Sequence, residues 1–307
     1  MKASIYERYG SPEVLQIRDI PAPRPRPQHV RVEVHAAALN PKDVLIRAGR
    51  MRWLVGSQLP RVPGYDVAGT LLDPLESWPV GTPVFGMIQN HRGGACAEVV
   101  SLRDDEVALA PNGLSMAEAA SLPLAGLTAL QALRDCLRIE PGSDVLINGA
   151  SGGVGTLAVQ IAGAMGARVR AVSSQRNHAL VRDLGAESTL DYRSIDVTRE
   201  RADFVFDVFG NLRGAALQRM ARVRSCTTVP RLGTIARGLA ARAGLGRHAL
   251  VVVRSRRADL EQLSAWVESG ALSPVLDRVV PLERSAEGHT HLQTRRARGK
   301  VVVEVRS

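Results

Sequence analysis

The stretch from Asp144 to Gly155 carries the clearest chemical potential in the chain. A short apolar run, Val145-Leu146-Ile147, breaks into Gly149-Ala150-Ser151-Gly152-Gly153-Val154-Gly155 and then into an alanine-rich segment over residues 156–165. Such a turn, set between a buried strand and a helix, brings backbone amides and the positive end of the helix up to a pyrophosphate. In this reading Ala150 takes the place of the first glycine, the next glycines admit the phosphate, and Gly155 lets the helix sit on the strand. Ser151, Gly152, Gly153, Val154 and Gly155 are therefore the candidate phosphate-binding residues. The alternative, a plain tight turn, is opposed by the strand before it and the helix after it.

The following strand bears on which dinucleotide is taken. Residues 168–172 lead into Ser173-Ser174-Gln175-Arg176-Asn177. About twenty residues past the glycines an NAD site places an acid on the ribose 2′-hydroxyl. Here stand hydroxyls, a guanidinium and an amide, and Ser174, Arg176 and Asn177 can donate to a 2′-phosphate. Charge-assisted hydrogen bonds of this kind contribute about 1.5–3 kcal/mol each. The pattern favours NADP(H). The alternative is that Arg176 is one solvated arginine among many.

The composition limits what else the chain can be. At 307 residues it is long enough for two domains with separate cores, and 45% hydrophobic against 23% charged residues is the balance of a soluble globular protein. No apolar run approaches the length of a membrane span, and the first residues lack the apolar core of a secretion signal. Cys96, Cys136 and Cys226 are odd in number and widely spaced, which argues against a disulfide framework and for a reducing cytoplasm. The net charge of +10 is almost entirely arginine, with lysine only at Lys2, Lys42 and Lys300. Those arginines are scattered and aromatic residues are 4%, so neither a basic stripe nor a stacking platform for nucleic acid is present.

The elements that must position the glycine turn follow from periodicity. Residues 3–6, 14–18 and 30–35 read as strands, the last alternating, with a proline-rich connector over 21–27. Asn40 followed by Pro41 opens a short helix through Arg47. Strands are expected at 67–72, 83–87 and 95–101, which makes the first part a β-rich, barrel-like domain. Ser115 and Glu118 form a capping box, and a second helix is expected over 126–137. Beyond it, strands at 145–147, 168–172, 188–191, 204–208, 225–229 and 249–253 alternate with helices, as in a doubly wound parallel sheet. A helix over 260–269, a strand over 275–280, a helix near 285–294 and a strand over 300–305 complete the chain, the last segments returning to the first domain.

Several motifs in this order identify a resemblance. They are Ala38-Leu39-Asn40-Pro41-Lys42-Asp43, Pro63-Gly64-Tyr65-Asp66-Val67-Ala68-Gly69, Gly93-Gly94-Ala95-Cys96-Ala97-Glu98, residues 119–129, the glycine turn, Leu184-Gly185-Ala186-Glu187, Leu190-Asp191-Tyr192 and Gly299-Lys300-Val301-Val302. Together they resemble the zinc-free quinone oxidoreductase-like members of the medium-chain dehydrogenase/reductase superfamily over nearly the whole chain. The resemblance implies an α/β protein with a GroES-like β-rich catalytic domain (residues 1–120 and 271–307) and an inserted Rossmann domain, a doubly wound parallel sheet, over 121–270. It implies an NADPH-dependent reductase of quinones or α,β-unsaturated carbonyl compounds. It further assigns Tyr192, Phe209, Gly210 and Lys300 to the cofactor, and Asn40 and Thr128 to the nicotinamide.

Zinc-dependent relatives carry ligands where this chain has Asn40-Pro41-Lys42-Asp43, Gly64-Tyr65-Asp66 and Leu122-Pro123-Leu124, and no four-cysteine lobe is present. His35, His91, His178, His289 and His291 have no ligand-like spacing, so no metal is expected. Relatives often carry tyrosines where this chain has Leu45 and Cys96. Tyr65 is then the one phenol in a site motif of the first domain, either as donor to a developing enolate or as packing. A homodimer paired through the strand at 249–253 is expected, unless Arg254, Arg256 and Arg257 block that edge. A cofactor-binding protein with a regulatory or scaffolding role is the alternative function.

Overall fold

Strand β3, His29–Leu39, explains the layout of the first sheet, because its eleven residues serve two partners along one edge. Its first half alternates in burial and pairs with β6, Val99–Arg103, as at Val32 opposite Val100. Its second half, Ala36 to Leu39, is buried throughout and pairs with β15, Lys300–Glu304, as at Ala38 opposite Val302. The sequence reading ended this strand at His35, since alternation stops where both faces are covered.

The computed structural model describes residues 1–89, 92–230 and 246–306; His91 lies outside them. Contacts divide the chain into Met1–Leu124 with Arg254–Glu268 and Pro274–Ser307, and Ala125–Val253 with Ser269–Ser273.

In the first unit, β14 (Leu276–Pro281), β15, β3, β4 (Asp66–Leu71), β5 (Pro83–Met87) and β7 (Val107–Leu109) follow one another in the sheet. A separate antiparallel pair is formed by β1 (Lys2–Ile5) and β2 (Gln16–Asp19). The latter starts later than expected because Pro12–Val14 forms a 3-10 turn. Val30, Val32, Val34, Val67, Val84, Val301 and Val303 form the core of this sheet. Helices α1 (Pro41–Arg47), α2 (Arg52–Val55), α3 (Met116–Ala120), α8 (Arg257–Glu268) and α9 (Ser285–Gln293) belong to the same unit. Ser115 caps α3 as the sequence predicts, donating its amide to Glu118 at 2.8 Å and accepting the Glu118 amide at 3.3 Å.

Helix α8 was expected within the nucleotide-binding segment 121–270. It packs instead on β7, which ends the sheet and has carbonyls to spare. Arg257 Nε donates to Val107 O at 3.1 Å and Ser264 Oγ to Leu109 O at 3.2 Å. Unpaired edge carbonyls want donors, and this helix supplies them from side chains.

In the second unit, β8 (Asp144–Asn148), β9 (Arg168–Ser173), β10 (Ser188–Asp191), β11 (Ala202–Asp207), β12 (Ala221–Thr227) and β13 (His248–Leu250) form one parallel sheet. Its spatial order is β10-β9-β8-β11-β12-β13. Renumbered from the first strand of the sheet, this is the 3-2-1-4-5-6 order of a dinucleotide-binding fold. Helix α4 (Pro123–Gln131) leads in, then a π-helical segment Ala132–Leu137 that the sequence reading merged with it. Helices α5 (Gly153–Ala164), α6 (His178–Asp183) and α7 (Gly214–Met220) follow the first, second and fourth strands of the sheet. Among the described residues no helix is long and apolar enough to cross a membrane.

Candidate functional site

The chemistry-bearing residues fall into two groups, one in each unit. In the second, β8 ends at Asn148 and the chain reverses at Gly149, whose φ of +88° is left-handed. A Cβ there would lie 3.0 Å from the Phe209 Cβ. The turn therefore does have its special glycine, one place ahead of the Ala150 to which the sequence reading assigned that role. The amides of Gly149 and Ala150 both donate to Val172 O, at 3.2 and 3.1 Å, which fixes the turn to β9.

Gly152 precedes the first residue of α5, and a Cβ on it would meet nothing nearer than Gly149 O at 3.6 Å. Space is open there. Gly155 is the opposite case: a Cβ would fall 2.1 Å from Gly149 O and 2.7 Å from the Ala150 backbone. Because the first helical amides have no intrahelical acceptor, those of Gly153, Val154 and Gly155 present a donor set for an anion. The turn is open where a phosphate must approach and closed where helix meets strand. It fits the diphosphate of a dinucleotide.

The end of β9 is tied to this turn. Asn177 is buried and its Nδ2 donates to Ser151 Oγ at 2.8 Å, while its Oδ1 is buried without a hydrogen-bond partner among the described residues. Ser174 is also buried, and its carbonyl accepts the Asn177 amide at 2.8 Å. Between them Arg176 is exposed and enters no hydrogen bond or ion pair with a described residue. Two of the three candidate 2′-phosphate residues thus shape the loop, and the third projects a free guanidinium.

Tyr192 and Phe209 are 52% and 47% exposed, unusual values for aromatic side chains. Gly210, at φ +73°, is held by the carboxylate of Asp207, which accepts its amide at 2.9 Å and that of Leu212 at 3.1 Å. Asn148 Nδ2 donates to the same carboxylate at 2.7 Å. Asp207 and Asn148 end neighbouring strands and set the loop that carries Phe209; the sequence reading missed both. A buried acid directly before Val208-Phe209-Gly210 was the available signal. Thr128 lies on α4, 6% exposed.

The first unit holds a buried polar cluster at the end of β3. Asn40 donates through Nδ2 to Asp66 Oδ2 at 2.9 Å and accepts through Oδ1 from Lys300 Nζ at 2.8 Å. Lys300 also donates to Asp66 Oδ2 at 2.9 Å, and Asp66 Oδ1 accepts the Leu124 amide at 2.6 Å. Asn40, Asp66 and Lys300 are each at most 4% exposed. The ammonium assigned to the cofactor by resemblance thus spends two of its three N–H groups inside this cluster, where it neutralises a buried carboxylate and orients Asn40. Its partner lies 234 residues away in sequence, beyond the reach of any local pattern.

Asp43 completes the frame. Its carboxylate accepts the Asn40 amide at 2.8 Å and the Gly64 amide at 2.8 Å, so it joins the start of α1 to the loop before β4. Burial pushes this carboxyl up to about 6, against the pull of the two amides. Tyr65, next to Gly64, is 2% exposed, and burial followed by the charge of Asp43 raises its phenol far above the usual range. It stays protonated at any working pH. The Lys42 ammonium stands 3.6 Å from the centre of its ring. Leu45 and Cys96 occupy the places where relatives often carry tyrosines, the first half-buried and the second fully buried. Among the described residues no group of three or more His, Cys, Asp or Glu side chains is placed to hold a metal ion.

Residues 26–131 match the alcohol dehydrogenase GroES-like domain, and residues 184–303 match the family described as zinc-binding dehydrogenase. The chain is 32% identical to the chloroplastic NADPH-dependent alkenal/one oxidoreductase of Arabidopsis thaliana, over 99% of its own length and 79% of the relative's. The solved quinone oxidoreductase of Coxiella burnetii superposes with a TM-score of 0.90 at 32% identity, covering 100% of this chain and 99% of that one. A solved NAD-dependent alcohol dehydrogenase superposes with a TM-score of 0.86 at 33% identity, covering 99% of this chain and 100% of that one. A GroES-like domain joined to a Rossmann-type sheet defines a medium-chain dehydrogenase/reductase. Within that superfamily the chain belongs to the quinone oxidoreductase-like family.

Proposed function

We propose that the protein is an NADPH-dependent reductase that transfers hydride to a quinone or to the double bond of an α,β-unsaturated carbonyl compound, without a metal ion. The observation that carries the cofactor choice is the loop after β9, which has no carboxylate and projects an unspent Arg176 beside the Ser151–Asn177 link. Names of similar proteins divide between NADPH and NAD, and the lack of an acid in this loop supports NADPH.

In this reading Ser151, Gly152, Gly153, Val154 and Gly155 take the diphosphate, Ser174, Arg176 and Asn177 the 2′-phosphate, and Tyr192, Phe209 and Gly210 flank the cofactor. The bound cofactor supplies the hydride. Asn40 and Thr128 orient the nicotinamide, and Tyr65 donates a hydrogen bond to the developing oxyanion. Metal independence is supported by Pro41, Tyr65, Leu122 and Leu124 at places where zinc-dependent relatives carry ligands. Three free cysteines suit the cytoplasm, and the short edge strand β13 suits a twofold pairing into a homodimer.

Titration by fluorescence tests the reading: NADPH should bind at least about tenfold tighter than NADH, and Arg176→Ala should remove that preference while leaving NADH affinity nearly unchanged. Equal affinities in the wild type would overturn the cofactor assignment. Oxidation of NADPH by a panel of quinones and enones should persist after exhaustive chelation, and light scattering should give twice the chain mass. Cofactor binding with no turnover on any acceptor would favour a regulatory role.

A further inference from the structure

Lysine is scarce in this chain, present at Lys2, Lys42 and Lys300 against a total of 40 lysines and arginines. Two of the three stand in the polar cluster around Asn40, and they are treated in opposite ways. The Lys300 ammonium donates to both Asp66 and Asn40. The Lys42 ammonium is half-buried over the ring of Tyr65 and makes no hydrogen bond or ion pair with any described residue.

The neighbouring acids do not take up its donors, because they are committed elsewhere. Both oxygens of Asp43 accept backbone amides, and both oxygens of Asp66 accept from Leu124, Asn40 and Lys300. Burial lowers the Lys42 ammonium, and the nearby charges of Asp43 and Asp66 pull the other way and favour the cation. The aromatic face stabilises that cation without consuming an N–H. A partly desolvated ammonium whose N–H groups meet no acceptor among the described residues suits an oxygen acceptor. Arginine, used nearly everywhere else, is a planar fork that carries less readily tuned charge; lysine is a compact point donor.

We propose that the Lys42 ammonium binds and polarises the carbonyl oxygen of the acceptor. This rests on the reductase reading above and names the group that replaces a Lewis acid in it. Hydride adds to the β-carbon as a new C–H bond, and the alkene pair shifts to form the enolate. The carbonyl pair settles on oxygen, where the Lys42 N–H groups meet the charge. A proton from water then reaches the α-carbon, so that one hydride and one proton are added and Lys42 remains an ammonium. For a quinone the same donor meets the first phenolate oxygen.

Three variants and two readouts test this. With 2-cyclohexenone and with a benzoquinone, Lys42→Met should lower kcat/KM by at least about tenfold, the order expected for loss of one oxyanion donor, while NADPH affinity stays within about twofold. Lys42→Arg should recover part of the loss because charge is retained, and Lys42→Gln should recover less. Independently of turnover, 4-nitrophenolate serves as an enolate mimic read by its absorbance shift on cofactor-free protein. Wild type should bind it and Lys42→Met should weaken it by at least about tenfold. Unchanged kcat/KM in a folded Lys42→Met protein, or unchanged phenolate binding, would overturn the assignment. If the wild type reduces no acceptor, the reductase reading fails; phenolate binding lost in Lys42→Met still supports Lys42 as the oxyanion-binding group. Should Lys42→Met not fold, Lys42→Gln carries the same comparison.

Discussion

The glycine turn of the second unit and the polar cluster of the first solve opposite problems. In the turn, function is prepared by leaving groups unspent: helix amides without acceptors, an open face at Gly152, a free guanidinium at Arg176. In the cluster nearly every polar group is already paired, with Asp66, Asn40, Lys300 and Asp43 bonded to one another or to backbone. On the proposed function, the difference follows from what each must meet. A diphosphate brings its own charge and needs donors in waiting, whereas a small neutral acceptor brings little and needs a rigid frame. Lys42 is the exception within the frame, with no hydrogen bond or ion pair to a described residue.

The comparison breaks most severely if the pairing in the cluster is removed. Lys300→Met strips a buried carboxylate of its counter-ion and lets Asn40 swing. Breaking one side of a buried pair costs about 3–5 kcal/mol. The midpoint of denaturant unfolding should fall accordingly, with no change in the slope. A loss below about 1 kcal/mol would mean that water reaches Asp66.

The turn should fail for a steric reason and not an electrostatic one. Gly155→Ala places a methyl group against the Gly149 carbonyl and the Ala150 backbone, neither of which can yield without moving β8 away from α5. Overpacking of this kind costs about 1–3 kcal/mol, and here it would also distort the proposed phosphate site. Both stability and NADPH affinity should drop. Gly152→Ala, where space is open, should keep stability and lose affinity alone.

How legible these regions were in the sequence differs in the same way. The turn is local: strand, glycines and helix lie within about twenty residues, so spacing alone revealed it, and only the position of the first glycine was misread. The alternation of strands with helices and the capped start of α3 were legible for the same reason. The cluster is assembled from Asn40, Asp66 and Lys300, distant in sequence, and no periodicity links them. Lys300 entered the reading through the resemblance alone, with its bonds to Asp66 and Asn40 unforeseen, and α8 was placed in the other unit because an amphipathic helix does not say which sheet edge will accept it.

A smaller effect separates the phenol of Tyr65 from its ring. Tyr65→Phe keeps the surface beneath Lys42 and deletes the hydroxyl. If the hydroxyl donates to the oxyanion, turnover on the best acceptor should fall about tenfold, roughly 1.4 kcal/mol, with NADPH affinity unchanged. Wild-type turnover would leave Tyr65 as the seat of Lys42 and no more.

The smallest effect is the pH response of Asp43, and its sign is informative. In the folded protein its carboxyl is pushed up to about 6 by burial, above the unfolded value of about 3.9. A raised carboxyl favours folding fully below its unfolded value, and that contribution is lost as pH rises through about 6. Between pH 7 and pH 4.5 the wild type should therefore gain stability relative to Asp43→Asn, on the order of 1 kcal/mol. The variant is destabilised throughout, because a carboxamide offers one acceptor oxygen to two amides, so the pH trend and not the offset is the measurement. Denaturant midpoints across that range would supply it. A trend of the opposite sign would show that the amides of Asn40 and Gly64 outweigh burial and hold Asp43 ionised, leaving more negative charge beside Lys42 and a firmer hold on its proton.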